Sequence, residues 1–347
     1  MNDHYLMPNL GILVGCGSVG KRHLSNLLLD HEMVIVVDSS ESARVYVEGL
    51  KNKRITFRNN ILSLSELELK ESNCTILATY GPDHLSQAKF LVEGGVKKLI
   101  IEKPLTDSVA DLFELKDLVD KNKVETYCNL PTLFGGMKSK LTEISTKYNL
   151  GELKGAGIFG GAECLATNGL HYLDSINGVI DENPIEVFAN INDSRINPRG
   201  EKFSHLEGTV EWVYKSGFRL FFHMNNSVSI NTTWRFFWRN GIADKNSDGL
   251  FEIRVRETYA SKEDKVTRYK PSSKHLETVD LLGINSNPDI FRLFYEYTKA
   301  ANIKSNFETS YLSMTHLFAA LYSSKLGKRI KIADLHQLDK NIKWGIT

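Results

Sequence analysis

The sequence has few cysteines, and those it has are scattered. Cys16, Cys74, Cys128 and Cys164 are spread over 347 residues, and no Cys-x-x-Cys or Cys/His pair has zinc-ligand spacing. No metal site is expected, and the thiols should be buried and reduced. An excess of charge is missing too. The formal net charge is +1, which gives no general field to draw nucleic acid or anionic lipid. No apolar run reaches spanning length and no secretory pattern opens the chain, so no membrane association and a cytoplasmic location are expected. Internal repeats, low-complexity tracts and charge blocks are also absent. What remains is 41% hydrophobic and 24% charged, an ordinary globular composition long enough for two domains.

One stretch organises the rest. Gly11-Ile-Leu-Val-Gly15-Cys-Gly17-Ser-Val-Gly20 is an apolar run ending in Gly-x-Gly-x-x-Gly, and Leu24, Leu27 and Leu28 follow at helical spacing. This reads as strand, tight turn, helix. Gly15 allows the turn, Gly17 lets a pyrophosphate approach the backbone, and Gly20 lets the helix pack close to the strand. A second apolar run, Met33–Val37, ends at Asp38, 18 positions beyond Gly20. A carboxylate there can accept the ribose hydroxyls of an adenosine. Strand, helix, second strand and acid fall in the order of a dinucleotide site.

Alternation continues through strands near 75–79, 98–102 and 124–128. A helix opens at Pro82 and stops at Gly94-Gly95, and another is capped by Asp107 or Ser108 and runs to about 121. This predicts a doubly wound parallel sheet over residues 1–130, with residues 1–8 a frayed lead-in. The pattern changes near 130. Gly135-Gly136 and Gly160-Gly161 bracket a helix (136–148) and a strand (152–160), and a helix at 170–180 follows. Then come helix-free strands at 186–195, 207–214, 217–224, 228–238 and 250–258, joined by short links such as Lys215-Ser216. Helices at 288–302 and 309–325 and a short strand at 329–332 close the chain. Residues 131–347 are therefore expected to form an α+β domain with a large, open, mostly antiparallel sheet. Its last helix and tail could pack back on the first domain. The link is brief, so a shared cleft is expected.

Two residue types at particular places suggest chemistry. Glu102-Lys103-Pro104 stands where a parallel strand ends, at the sheet edge that binds ligands. Lys103 there can donate a hydrogen bond to a substrate oxygen, although a solvated lysine would look the same. His171 opens the first helix after the crossover, and Asp174 shares its helical face. An imidazole can take a hydroxyl proton near neutral pH, although a core or capping histidine is the plainer alternative for any of the ten histidines. His84 lies near the cofactor edge, where helix packing would equally explain it.

Together these residues resemble the Gfo/Idh/MocA oxidoreductase family. The resemblance covers nearly the whole chain and rests on Gly15-Cys-Gly17-Ser-Val-Gly20-Lys-Arg-His23, Ala78-Thr79 with His84, Glu102-Lys103-Pro104, Gly151-Glu152-Leu153, Gly169-Leu-His171 and Ser323-Ser324 with Gly327. It implies an NAD(P)-binding Rossmann domain followed by an α/β domain whose open sheet is often an oligomer interface. It also implies that Lys103 and His171 contact the reacting carbinol or carbonyl, and that Thr79, Glu102 and Asn129 line the cofactor channel. Two positions depart from the family. Thr167 stands where an aspartate usually precedes the histidine, and Pro131 replaces an arginine.

The expectation is an NAD-dependent oxidoreductase acting on a secondary alcohol or ketone of a sugar, foremost a nucleotide-linked sugar or a cyclitol. Gly15, Gly17, Ser18, Val19, Gly20, Asp38, Thr79, Tyr80, His84, Glu102 and Asn129 should hold the cofactor. Lys103, Thr167, Asn168 and His171 should meet the substrate. Asp38 favours NAD over NADP because it repels a 2′-phosphate, with Lys21 and Arg22 the residues that could reverse this. Rival readings are an NAD-using glycosidase or lyase and a non-catalytic NAD or sugar sensor. Alternating aromatic and arginine residues at Trp234–Arg239 suggest a face needing cover, hence a homo-oligomer, dimer or tetramer.

Overall fold

The computed structural model describes residues 9–130, 136–161, 163–193, 203–228, 232–246, 248–256, 273–281, 290–300 and 305–346. The predicted lead-in over 1–8, Pro131, Gly135 and parts of three predicted strands and one helix (194–195, 229–231, 257–258, 288–289 and 301–302) lie outside them. The chain forms two compact units.

The first unit alternates strand and helix. β1 (Leu10–Val14), α1 (Ser18–Asp30), β2 (Met33–Val37), α2 (Glu41–Gly49) and β3 (Ile55–Arg58) form its first half. α3 (Glu66–Glu71), β4 (Ser72–Leu77), α4 (Gly81–Glu93), β5 (Lys98–Ile101), α5 (Val109–Asn122) and β6 (Glu125–Cys128) form the second. The strands pair in parallel in the order β3-β2-β1-β4-β5-β6. That is the dinucleotide-binding order, with its reversal between β1 and β4. β1 is buried throughout, with Ile12 and Leu13 fully inside, because helices cover both faces of such a sheet. Ser108, not Asp107, caps α5 by accepting the Asp111 amide at 3.2 Å. α2 is likewise capped by Ser40.

Later chain returns to this unit, which includes the described parts of 289–314 and 339–347. α8 (Ile290–Lys299) brings Arg292 to Asp30 at 3.0 Å. Asn306 pairs with both the amide and the carbonyl of Cys128, at 3.0 and 2.8 Å, and so covers the free edge of β6.

The second unit holds the described parts of 132–288 and 315–338. It contains α6 (Met137–Lys147), β7 (Leu153–Gly160), α7 (Asn168–Val179), β8 (Pro184–Asp193), β9 (Leu206–Tyr214) and β10 (Arg219–Met224). β11 (Thr233–Trp238), β12 (Gly241–Lys245), β13 (Phe251–Arg256) and β14 (Ser273–Val279) follow. α9 (Phe307–Leu326) contributes its residues 315–326, and β15 (Ile330–Lys331) completes a nine-stranded sheet. Its order is β14-β13-β12-β11-β7-β10-β9-β8-β15, and the β7–β10 pair is parallel among antiparallel neighbours. β12 and β14 were not among the expected strands. β12 is short, and its Gly-Ile-Ala-Asp-Lys run alternates weakly.

Burial alternates strictly along β10 and β11. Trp234, Phe236 and Trp238 are buried, so this aromatic stripe belongs to the unit's own core. The opposite face exposes Phe159, Phe188, Phe221 and Phe237 among arginines and acids. Gly157 leaves room on that face: a Cβ there would lie 2.8 Å from the Phe159 ring. No described helix is long and apolar enough to cross a membrane.

Candidate functional site

The glycine loop joins β1 to α1, and its three glycines have different reasons. A Cβ on Gly15, whose φ is +92°, would sit 2.6 Å from the Ala78 backbone, and one on Gly20 would sit 2.1 Å from the Gly15 carbonyl. Both are required by the chain's own packing. A Cβ on Gly17 would meet nothing within 4 Å. Gly17 is the exposed N-cap residue of α1 and offers no side-chain cap, and Ser18 beside it is exposed, with Val19 half-buried. The first turn of α1 therefore presents backbone N–H groups to open space, where an anion is favoured.

Asp38 follows β2 and is half-buried. Its Oδ2 accepts the Cys16 amide at 2.7 Å and its Oδ1 accepts the Ser40 amide at 2.8 Å. These bonds fix the carboxylate beside the loop and leave lone pairs on both oxygens for two hydroxyls. Cys16 itself is buried, and its thiol is pushed up to about 11 by burial and then by Asp38, so it is not a nucleophile.

At the other half of the same edge, Thr79 Oγ1 donates to Gln87 at 2.6 Å, and Tyr80 is the exposed N-cap residue of α4. His84 is fully buried, with Nδ1 3.3 Å from the Leu105 carbonyl, and burial pushes its pKa down, so it is neutral at pH 7. Glu102 stands just past β5, and its backbone N–H donates to the Leu77 carbonyl at the end of β4 at 2.8 Å. Its Oε1 accepts from His23 Nε2 at 2.6 Å and from Asn129 Nδ2 at 2.7 Å, and its Oε2 accepts the Lys103 amide at 3.3 Å. Burial pushes the Glu102 pKa up. The bond and charge of His23, the Asn129 bond and the Lys103 charge outweigh burial, and the carboxyl lies below its usual range. His23 Nδ1 meets Tyr295 Oη at 3.1 Å, across 272 positions of sequence. Lys103 is half-buried, and its peptide bond to Pro104 is cis.

The remaining predicted residues lie in the second unit. Thr167 is the buried N-cap residue of α7, and its side chain makes no capping bond. Asn168 is exposed, His171 is half-buried on the first turn of α7, and Asp174 is fully buried. Near them is a cluster the sequence reading did not single out. Glu163 Oε2 accepts from Tyr172 Oη at 2.7 Å and from Thr232 Oγ1 at 2.6 Å. Burial and then Glu163 push the Tyr172 hydroxyl up, against a hydrogen bond with Thr232. Burial pushes Lys245 down, against the Glu163 charge. Among the described residues, no group of three or more His, Cys, Asp or Glu is placed to hold a metal ion.

In the first unit the structure brings the glycine loop and Asp38 together, and Glu102, Asn129 and Lys103 together. His23 stood in the glycine-loop motif without a role. Its partner Tyr295 could not be read from spacing, and no curated protein matches the chain by sequence.

An open helix N-terminus beside a fixed acid, on a parallel sheet of this order, defines a dinucleotide-binding Rossmann domain. Residues 11–129 match the family described as "Oxidoreductase family, NAD-binding Rossmann fold". Over this segment, about a third of the chain, the protein is similar to the Gfo/Idh/MocA oxidoreductases. Solved structures share the fold at low identity. An NAD-binding protein from Listeria innocua is similar at 14% identity and a TM-score of 0.70, covering 94% of this chain and 98% of that one. The WlbA dehydrogenase from Bordetella pertussis, in complex with NADH and UDP-GlcNAcA, is similar at 14% identity and 0.71, covering 93% and 97%. The transcriptional regulator Gal80p from Kluyveromyces lactis is similar at 13% identity and 0.67, covering 94% and 92%.

Proposed function

We propose that the chain is an NAD-dependent oxidoreductase that moves a hydride between nicotinamide and a secondary alcohol or ketone of a sugar, foremost a nucleotide-linked sugar. The observation that carries this reading is the open N-terminus of α1 at Gly17 beside the fixed carboxylate of Asp38. These groups fit a dinucleotide: N–H groups for the pyrophosphate and a carboxylate for the ribose. The residues that would hold it are Gly15 to Gly20, Asp38, Thr79, Tyr80, His84, Glu102 and Asn129. Asp38 makes NAD the better fit than NADP. Bound NAD supplies the hydride acceptor for alcohol oxidation. In this reading Lys103 donates a hydrogen bond to the substrate oxygen, and His171 takes the hydroxyl proton at an imidazole nitrogen. Thr167 cannot take a proton but can hydrogen-bond the substrate. The nucleotide sugar held by the WlbA structure supports that choice of substrate class.

The test is turnover. The unaltered protein with NAD is offered nucleotide sugars, inositols and free sugars, with nicotinamide absorbance and product mass read together. Reduced cofactor with one substrate class is expected. Lys103→Ala and His171→Ala should each lower turnover about a hundredfold or more, with NAD affinity little changed. Full activity in the double variant would overturn these roles.

A second reading, a non-catalytic NAD- or sugar-responsive regulator, is favoured by Thr167 and by the fold shared with Gal80p. Tight NAD binding with no turnover across the panel would select it. For assembly, the exposed phenylalanine face of the second sheet favours a second copy of this chain. Much of its charge is already engaged within the face, Arg219 and Arg329 sharing Glu211 and Arg235 lying on Asp244. Such a face suits a self-complementary partner rather than a charged one.

A further inference from the structure

Lys245 is the last residue of β12, and Glu163 lies three residues past the end of β7. The sheet order places β12, β11 and β7 side by side. β11 is antiparallel to both neighbours, so its start, with Thr232 just before it, meets the ends of β7 and β12. Tyr172 reaches the same edge from α7. Alternation along β12 puts Lys245 on the face of Ala243, which is fully buried. A cation on an inner face ordinarily has an acid against it. Among the described residues Lys245 makes no ion pair, and its Nζ reaches only the Thr232 carbonyl, at 3.4 Å. Glu163 is fixed from one side. Its Oε2 accepts from Tyr172 Oη at 2.7 Å and from Thr232 Oγ1 at 2.6 Å, while its Oε1 has no hydrogen bond among the described residues. Both residues are half-buried, so both still reach solvent. The edge therefore holds a donor and an acceptor of opposite charge that do not pair with each other. An anion there would meet Glu163, and a cation would meet Lys245. A neutral group that both donates and accepts satisfies the two together, and the hydroxyl of a sugar is such a group.

We propose that Glu163 and Lys245 are specificity-determining residues that bind a carbohydrate hydroxyl, Glu163 Oε1 accepting its hydrogen and Lys245 Nζ donating to its oxygen. Tyr172 and Thr232 are positioning residues that aim the carboxylate. The assignment rests on the sugar reading above and adds which groups of this chain select among sugars. It gives a purpose to a lysine whose charge is costly where it stands. Tyr172 directly follows His171, so one turn of α7 carries both the proposed base and an anchor of the carboxylate.

The experiment is calorimetric titration of the full chain, with NAD present, against UDP-GlcNAcA, UDP-glucose, myo-inositol and glucose. The tightest of these is then replaced by its monodeoxy forms, each lacking one hydroxyl. One such form should bind the unaltered chain about tenfold more weakly than the parent sugar, the size of one hydrogen bond to a charged group. Glu163→Gln and Lys245→Met should each cost about tenfold against the parent sugar and less than about twofold against that form, because the hydroxyl they read is already gone. Lys245→Met keeps the apolar stem and removes a charge with no ion pair, so the melting temperature should hold or rise. Affinity for the parent sugar within about twofold in both variants would overturn the assignment and leave the sugar reading standing. So would an equal loss against the parent and every monodeoxy form, the mark of a structural role. Binding of no sugar in the panel would overturn the sugar reading, and this assignment with it.

Discussion

The two sheets solve burial in opposite ways. In β1 every residue is inside, and neighbours such as Ile12 and Leu13 are both fully buried because helices cover both faces. In β11 neighbours part company: Phe236 is fully buried and Phe237 is 37% exposed. The parallel sheet keeps its chemistry at one edge, where strands end in loops, and can offer no face. The mixed sheet gives one whole face to the outside. Residue type alone does not say which regime applies, since both strands are strongly apolar.

The largest expected effects test that contrast directly. Ile12→Ala and Leu13→Ala should each cost about 2–5 kcal/mol in denaturant unfolding, because both leave cavities. Phe236→Ala should cost about 3–5 kcal/mol and Phe237→Ala under about 1 kcal/mol. If the wet face binds a second copy, Phe237→Ala should also lower the mass seen in light scattering at micromolar concentration. A monomeric unaltered protein would contradict that role.

The glycine loop allows a finer version of the comparison within one turn. Gly20→Ala forces a Cβ against the Gly15 carbonyl and should destabilise the first unit by about 1–3 kcal/mol. Gly17→Ala meets no protein atom, so the melting temperature should hold while NAD affinity falls about tenfold in calorimetry. Equal loss of stability in both variants would mean that Gly17, too, serves packing.

The smallest effect depends on pH. Burial pushes His316 in the second unit down to about 3, and it also lowers His31 and His84 in the first. For such groups the native state binds fewer protons than the unfolded chain between the two pKa values. Stability is therefore full above about pH 6.5 and falls as pH drops toward the folded value. His316→Gln should lose up to about 2 kcal/mol less than the unaltered protein between pH 7 and pH 5, read as the difference in unfolding free energy at the two pH values. An unchanged slope would show that His316 is protonated in the native state.

Much of this was legible in the sequence because local chemistry fixes it. Gly15 and Gly20 follow from what a tight strand-turn-helix requires, and the place of Asp38 from where the second apolar run ends. Ser108 was legible as a cap to within one position, since serine and aspartate do the same work there. The Tyr295–His23 contact was not legible, because 272 intervening residues leave no periodicity linking them. Nor was the Glu163 cluster, whose members come from three separate stretches and carry ordinary side chains. The tryptophans of β11 mark the limit of such a reading. Alternation reveals that two faces differ, but which face is dry depends on what packs against it.

The return of Tyr295 and Asn306 to the first unit has a consequence for how the chain is made. Synthesis proceeds from the N-terminus, and domains ordinarily fold as they emerge. Here β6 would leave the ribosome with its outer edge at Cys128 uncovered and His23 without its phenol. Both wait for residues about 170 to 270 positions later. Until they arrive, the nascent first unit carries an open strand edge of the kind that recruits other chains. The contacts that complete the first unit are therefore supplied only after most of the second unit has been translated.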